Sequence, residues 1–326
     1  MSRLIASSGM AQRQSLPLDA KILMTKQRIK SWYDHWDGEV HLTFSGGKDS
    51  TVLRHIIKSM GLNIPSVFSN TGLEYPEIVQ FVKEQQQKDP LVTIIRPKTT
   101  FRESVLTEGF PLVSKKVASM VRRTKHMLAN KSDKNFLTRR LYLTGEKSDG
   151  TFNKASKIPD KWMKLLDAPF KTTEKCCDSL KKEPFRRYQR EHKTMPITAI
   201  MQAEGGHRAM LTECNSFSGK DPMSRPMLFW LEEDVWAYIK KYNVEYAKCY
   251  DDYVLADGGV VSGETRTGCM FCAFGAHLEK GENRFQRMAK THPKQWNYCV
   301  NKLGMGKAFD YIGLAYEPTP KTDKEK

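Results

Sequence analysis

Apolar residues in the first hundred positions recur with two alternating periods, and the alternation predicts helices and strands in turn. Leu18, Ile22, Ile29 and Trp32 mark one side of a helix over Leu16–Trp36. Val40-His41-Leu42-Thr43-Phe44 is a short β-rich run that ends at two glycines. Val52, Leu53, Ile56, Ile57 and Met60 return to helical spacing over Thr51–Met60, and Gly61 supplies a C-terminal stop. Pro65–Ser69 reads as a second strand and Asn70-Thr71-Gly72 as a turn. Pro76 then opens a helix through Gln87, and Leu91–Ile95 forms a third strand. Strands and helices repeating in this way predict a parallel α/β sheet.

Beyond Ile95 the pattern loosens. Phe101–Thr173 shows no clear period, and Lys147–Lys157 reads as polar loop. Met195–Met201 resembles a buried strand that ends at Glu204-Gly205-Gly206. Glu232–Lys241 reads as a helix with Val235, Trp236 and Ile239 inward, and Leu278–Cys299 as mostly helical. The Pro- and Lys-rich Glu317–Lys326 reads as a disordered tail. The expected organisation is an N-terminal arm and helix (1–36), an α/β domain (37–242), a glycine- and cysteine-bearing C-terminal region (243–316) and the tail (317–326).

Charge changes the picture. There are 53 Lys and Arg against 37 Asp and Glu, a formal +16, which favours polyanions such as nucleic acid and nucleotides. Between Val113 and Arg140 the only acid is Asp133, among nine Lys and Arg; a solvated helix face or a loop would also explain that stretch. No apolar run approaches bilayer length, and Met1–Ser15 has no run of signal-peptide length, so a cytoplasmic protein without a membrane partner is expected. Seven cysteines, an odd number, argue against a disulfide framework and for metal or cluster ligands wherever they cluster.

The sharpest chemical signal is Ser45-Gly46-Gly47-Lys48-Asp49-Ser50, placed between a strand and a helix. Paired glycines let the backbone approach an anion, and the first amides of the helix point at phosphate oxygens. Lys48 adds positive charge, and Asp49 offers a hard oxygen for Mg2+. The spacing lacks the four-residue spacer of the P-loop NTPases. The hexapeptide resembles the SGGxDS motif of the PP-loop ATP pyrophosphatase superfamily. Asn70-Thr71-Gly72-Leu73-Glu74-Tyr75-Pro76-Glu77 is similar to the DTG-aromatic-Pro-Glu segment of its phosphoadenosine phosphosulfate (PAPS) reductase-like branch, with Asn70 in place of the usual Asp.

That resemblance implies a Rossmann-like (adenine nucleotide alpha hydrolase-like) parallel-sheet core with an irregular, helical cysteine-bearing C-terminal region. It also implies ATP with Mg2+ as cofactor, cleavage of ATP between the α and β phosphates, and catalytic roles for Lys48 and Asp49. Nucleotide contacts would come from Ser45, Gly46, Gly47, Lys48, Asp49, Ser50, Asn70, Thr71 and Gly72, and from Arg208 after the Gly205-Gly206 turn. Lys115 and Lys116 would line the same anion pocket or be ordinary surface lysines.

Cys176-Cys177 and Cys269-Met270-Phe271-Cys272 are similar to the layout of sulfonucleotide reductases that carry a 4Fe-4S cluster. Four thiolates suit such a cube, with Lys175, Arg266 and nearby positive charge lowering the thiol pKa values and offsetting the cluster's charge; a four-cysteine zinc site is the alternative. Cys214 or Cys299 could replace a member of the tandem pair, or act as a sulfur-carrying thiol.

Two enzyme readings and one binding reading follow from the resemblance. One is an ATP-dependent sulfurtransferase acting on nucleic acid, similar to that of DNA phosphorothioation, with a sulfur donor or partner protein. Another is a sulfonucleotide reductase that makes sulfite through a cysteine in a C-terminal tail; within this sequence no cysteine follows Cys299. The last is a non-catalytic nucleotide-sensing module.

Overall fold

The structure is a computed structural model that describes residues 9–130, 135–219 and 221–319. The start of the expected N-terminal arm and most of the expected tail lie outside the described residues. Along the chain run α1 (Leu18–His35), β1 (Val40–Thr43), α2 (Lys48–Ser59), β2 (Ser66–Ser69), α3 (Pro76–Lys88) and β3 (Val92–Ile95). There follow α4 (Phe101–Glu108), β4 (Leu112–Val113), α5 (Lys115–Ala129), α6 (Phe136–Thr144), α7 (Glu183–His192) and β5 (Met195–Ile197). The longer elements after these are β6 (Asn215–Ser216), β7 (Met223–Ser224), α8 (Glu232–Tyr242), β8 (Tyr253–Val254), β9 (Val260–Val261), β10 (Ala273–Phe274), α9 (Arg284–Thr291) and α10 (Met305–Ile312).

The chain divides into two compact units. One comprises 1–97, 182–250 and 264–267; the other comprises 98–181, 251–263 and 268–326. The first is a mixed α/β unit. Its sheet has the order β3-β2-β1-β5-β7-β6, parallel throughout except for the antiparallel β6–β7 pair. A parallel strand flanked on both sides must be apolar on both faces. β1 obeys: Val40, His41 and Leu42 are buried, as is Phe44 just beyond it.

Helix α2 buries Val52, Leu53, Ile56 and Ile57, each such side chain contributing roughly 1.5–3 kcal/mol. Its Arg54 is locked by Asp89 at 2.6 Å and Gln85 at 2.7 Å, which fixes α2 against α3. On the other side, Lys21 of α1 meets Asp234 of α8 at 2.6 Å, and the Trp230 indole donates to Thr25. Asp234 also accepts the Leu231 amide at 2.7 Å, so one carboxylate caps α8 and neutralises a buried ammonium.

The second unit is helical with two short sheets. β4 and β10 pair in parallel, and β8 and β9 form an antiparallel pair. The stretch Phe101–Thr173, where no periodicity showed, holds α4, α5 and α6. Short helices with capping by Thr100 and Ser114 explain why a long-window pattern failed. Three boundaries differ from the sequence reading. The β5 strand stops at Ile197, α2 begins at Lys48 rather than Thr51, and the C-terminal helical stretch breaks at His292-Pro293. Pro293 cannot continue the ladder of α9 and begins a new turn instead. Among the described residues no helix is long and apolar enough to cross a membrane.

Two outcomes test this packing. Asp234→Ala leaves the Lys21 ammonium, 2% exposed, without its carboxylate; a loss of about 3–5 kcal/mol is expected in urea unfolding. A loss below about 1 kcal/mol would show that the pair does not hold α8. His41 is the second case. Burial first, then the charge of His192, lowers its pKa to about 4, so the folded state keeps it neutral. The unfolded chain binds the extra proton below its ordinary value near 6.5, so stability falls as pH drops from about 6.5 to about 4, by up to roughly 3 kcal/mol. His41→Gln should flatten that part of the stability–pH curve, and an unchanged curve would assign the loss to other groups.

Candidate functional site

The sheet reverses direction of growth at β1: β2 and β3 follow on one side, β5 and β7 on the other. In open α/β sheets ligands bind at such a switch point, beyond the carboxyl ends of the strands. The Ser45–Ser50 turn occupies that end of β1, and the segment carrying Arg208 follows β5.

Two serines latch the turn. Ser45 Oγ lies 3.0 Å from Ser50 Oγ and 3.3 Å from the Gly47 amide, while Ser50 Oγ donates to the Gly47 carbonyl. Gly46 has φ +71°, and a Cβ there would stand 2.8 Å from methyl groups of both Ile78 and Val82 of α3. Only glycine meets both demands. Gly47 then caps α2, whose first amides point out of the sheet end.

The Lys48 ammonium is 3% exposed. It donates to the Thr265 carbonyl at 2.7 Å, stands 3.3 Å from Glu232 and lies 5.2 Å from the centre of the Tyr250 ring. Its charge is therefore already answered inside the protein, and the Lys48 side chain holds segments together as well as lending charge. The Lys48 amide donates to the Tyr250 hydroxyl at 3.0 Å, and that hydroxyl pairs with Thr267 Oγ1 at 2.7 Å. The Tyr250 hydroxyl thus covers an amide that the sequence reading reserved for phosphate. Tyr250 and Thr267 are site residues that the sequence did not reveal; the adjacency of Thr267 to the cysteine motif was the only hint.

Asp49 Oδ1 is buried without a hydrogen-bond partner. Burial pushes its carboxyl pKa up; Lys48 opposes the rise, Glu232 adds to it, and Arg266 and Arg208 oppose it. The carboxylate's one ion-pair partner among the described residues is the Lys48 ammonium, at 3.9 Å, and a buried carboxylate oxygen without a hydrogen bond fits a hard cation such as Mg2+. Arg208 pairs with Glu204, and Arg266 donates to the Glu204 carbonyl. Burial and then Arg266 lower the Arg208 pKa, so two like charges are held near Asp49.

The turn after β2 keeps its shape with Asn70. Asn70 Oδ1 accepts the Gly72 amide at 3.1 Å, and Glu74 holds both the amide and the hydroxyl of Thr71. Thr71 is thereby occupied by its neighbour, and its side chain does not stand free toward a ligand.

The cysteine motifs meet in the second unit. The CxxC turn, closed by the Cys272 amide on the Cys269 carbonyl at 3.0 Å, leads into β10, while Cys176-Cys177 opens a helical turn. Cys176 feels the charges of Cys177, Cys272 and Cys269, and its hydrogen bond to Cys177 raises its pKa. The same bond holds Cys177 low, helped by Lys115 and Lys181, so the pair shares one proton. Lys175 points elsewhere, to Glu108 at 3.0 Å, and Arg266 has Asp49 and Arg208 as its charged neighbours. Lys115 and Lys181 belong to the nearby positive charge expected from the sequence, and they act on Cys177. Among the described residues no set of three or more Cys, His, Asp or Glu side chains stands ready to hold a metal. Of the rival thiols, Cys299 is fully buried against Met305 sulfur at 3.5 Å, and Cys214 has Arg28 beside it in the first unit.

The first unit is a nucleotide-binding α/β domain of the PP-loop kind. Residues 39–158 and 140–274 match the phosphoadenosine phosphosulfate reductase domain, and the chain belongs to that family. It is 23% identical over 289 residues to the uncharacterised protein MJ0973 of Methanocaldococcus jannaschii, covering 87% of this chain and 52% of that one. It is 23% identical over 281 residues to MJ0066 of the same organism, covering 84% and 43%. The chain thus spans about half the length of these relatives. Among solved structures, the phosphoadenylyl-sulfate reductase of Candida auris is similar at 16% identity and a TM-score of 0.39, covering 73% of this chain and 92% of that one. The FMN adenylyltransferase of Candida glabrata with ATP is similar at 12% identity and a TM-score of 0.41, covering 78% and 68%.

Gly46→Ala is expected to abolish nucleotide binding, read by calorimetric titration with ATP, while Gly61→Ala, strained alike at φ +69° but at a helix end with open space around it, should bind as the wild type. Equal binding by Gly46→Ala would show that the turn does not need its left-handed backbone.

Proposed function

We propose that this chain is an ATP-using enzyme that cleaves ATP between the α and β phosphates and works in sulfur transfer to nucleic acid. The observation that carries the ATP step is the latched Gly46-Gly47 turn at the switch point, with an Asp49 oxygen beside it that is buried without a hydrogen bond. The α2 amides and the Arg208–Arg266 pair receive the phosphate chain. The Tyr250 hydroxyl yields the Lys48 amide to a phosphate oxygen and remains as a donor at the rim. Asp49 holds Mg2+, which offsets charge on the phosphates. An oxygen of the acceptor bonds to the α-phosphorus, the bond from it to the β-phosphate bridging oxygen breaks, and pyrophosphate leaves with the electron pair. The acceptor is left adenylated.

Cys176, Cys177, Cys269 and Cys272 fit a 4Fe-4S cluster by the chemistry of their donor set: four thiols that sense one another, with Lys115 and Lys181 offsetting negative charge. When bound, such a cluster supplies electron and sulfur chemistry. The nucleic-acid part of the reading is supported by the +16 balance and by the long basic stretch through α5.

Asp49→Asn is expected to lower pyrophosphate release from ATP by roughly a hundredfold or more without changing the unfolding midpoint. Unchanged release would remove Asp49 from the reaction. Release should rise when single-stranded DNA or transfer RNA is added; sulfite formed from adenylyl sulfate would replace the transfer reading by reduction. Protein purified without oxygen should hold about four irons per chain and absorb in the visible, and Cys177→Ser with Cys272→Ser should lose both. One zinc per chain and no colour would assign the thiols to zinc instead.

A further inference from the structure

The second unit carries a cavity of about 480 Å³ beside another of about 460 Å³, and the two share Lys125 and Lys171. Their chemistry differs. The smaller is lined by Arg122, Lys125, His126, Lys171, Thr172 and Lys175, with Glu108 the one carboxylate on its wall. Glu108 is taken by Lys175 at 3.0 Å, and Arg122 is taken by Glu174 at 2.6 Å. Lys125 donates to the Ala168 and Phe170 carbonyls with Asp167 as its nearest opposite charge, whereas Lys171 donates only to the Thr107 carbonyl and keeps its charge for the cavity. Thr172 is 2% exposed, and its hydroxyl has no hydrogen-bond partner. A buried hydroxyl left unpaired costs stability unless a ligand or water completes it. Cations, an orphan hydroxyl and room for a small group make an anion site.

The larger cavity adds aromatic and aliphatic side chains to the two shared lysines. Leu106, Phe110, Phe170 and Leu303 line it, and the Phe110 and Phe170 rings meet edge to face at 5.8 Å. The backbone fixes the junction: Phe110 donates to the Lys171 carbonyl at 2.9 Å and Thr173 donates to the Phe110 carbonyl at 3.0 Å. An anion site joined to an aromatic-walled hollow matches a phosphate with a flat ring attached.

The surroundings extend the match along a strand. Lys116 and Arg123 stand exposed on α5. Arg123 lies over the Tyr142 ring at 5.3 Å, and Arg139 over the Phe136 ring at 5.7 Å. Helix α6 buries none of its residues, and Phe136 and Leu137 are about half exposed. Basic side chains alternating with open aromatic faces track a sugar–phosphate backbone while offering stacking surfaces, which a duplex would not use.

We propose that this face of the second unit binds single-stranded nucleic acid, with one nucleotide seated phosphate-first among Lys125, Lys171 and Thr172 and its base against Phe170. The assignment rests on the proposed function only for what the bound strand is used for; binding itself needs neither ATP nor the thiols.

The test is fluorescence anisotropy with labelled single-stranded 20-mers of DNA and RNA, without ATP, on the full chain. Binding should weaken steeply with salt. The pair His126→Glu with Lys171→Glu, both exposed positions, should weaken it at least about tenfold, and Phe170→Leu several-fold through loss of stacking. Lys30→Glu, equal in kind but in the first unit, should leave it unchanged. ATP cleavage without nucleic acid should be the same in all these variants, so a dead phosphate loop and an empty strand site give different results. Unchanged affinity in the His126/Lys171 pair, or equal weakening by Lys30→Glu, would overturn the site. Full displacement of the strand by free adenosine monophosphate at equal nucleotide concentration would assign the cavities to a free nucleotide and overturn the strand.

Discussion

An ammonium cannot stay buried without partners, and Lys48 has drawn its partners from three distant parts of the chain. Glu232 comes from the start of α8, Tyr250 from the end of the segment after it, and Thr265 from a four-residue return into the first unit. Each supplies something different: a carboxylate, a ring face and a carbonyl. Because Lys48 is the first residue of α2, these contacts also set the direction in which the helix presents its amides. The two-glycine turn is pressed from the opposite side by Ile78 and Val82. The shape of the turn at this end of the sheet depends on both constraints together.

The second unit solves a different problem. Cys177 is held low by its bond from Cys176 and by nearby lysines, and a basic surface needs few acids. Lys115 serves the thiols, while Arg122, Lys125 and His126, further along the same helix, turn toward the cavity with Lys171. One amphipathic helix, α5, therefore carries charge to two distinct places while its Val117, Met120, Val121 and Thr124 fill the interior. The long run without acids has a division of labour that a net charge cannot express.

Much of the first unit was legible. Strands β1, β2 and β3 and helices α1 to α3 each repeat one period long enough to read, and the glycine turn lies between two of them. Asn70 in place of an acid kept its turn, as its hydrogen-bonding side chain allows. The second unit was not legible over Phe101–Thr173. Helices α4 and α6 are only eight and nine residues long, and α6 has no buried side to impose a period. Its cysteine motifs could still be read, because CxxC and a tandem pair are local spacings.

The sequence by itself determined the mostly parallel α/β core, the family, and a two-glycine turn between a strand and a helix. These are properties of neighbours along the chain, where period and spacing carry the information. Only the tertiary structure decided that the Lys48 charge is answered by Glu232 and Thr265, that the Tyr250 hydroxyl rests on the Lys48 amide, and that Lys115 and Lys181 act on Cys177. It alone joined Phe110 to Lys171 and left the Thr172 hydroxyl without a partner. The longest of these contacts spans 217 residues, and they follow from burial, which drives enclosed charges and hydroxyls to find partners wherever the fold brings one near.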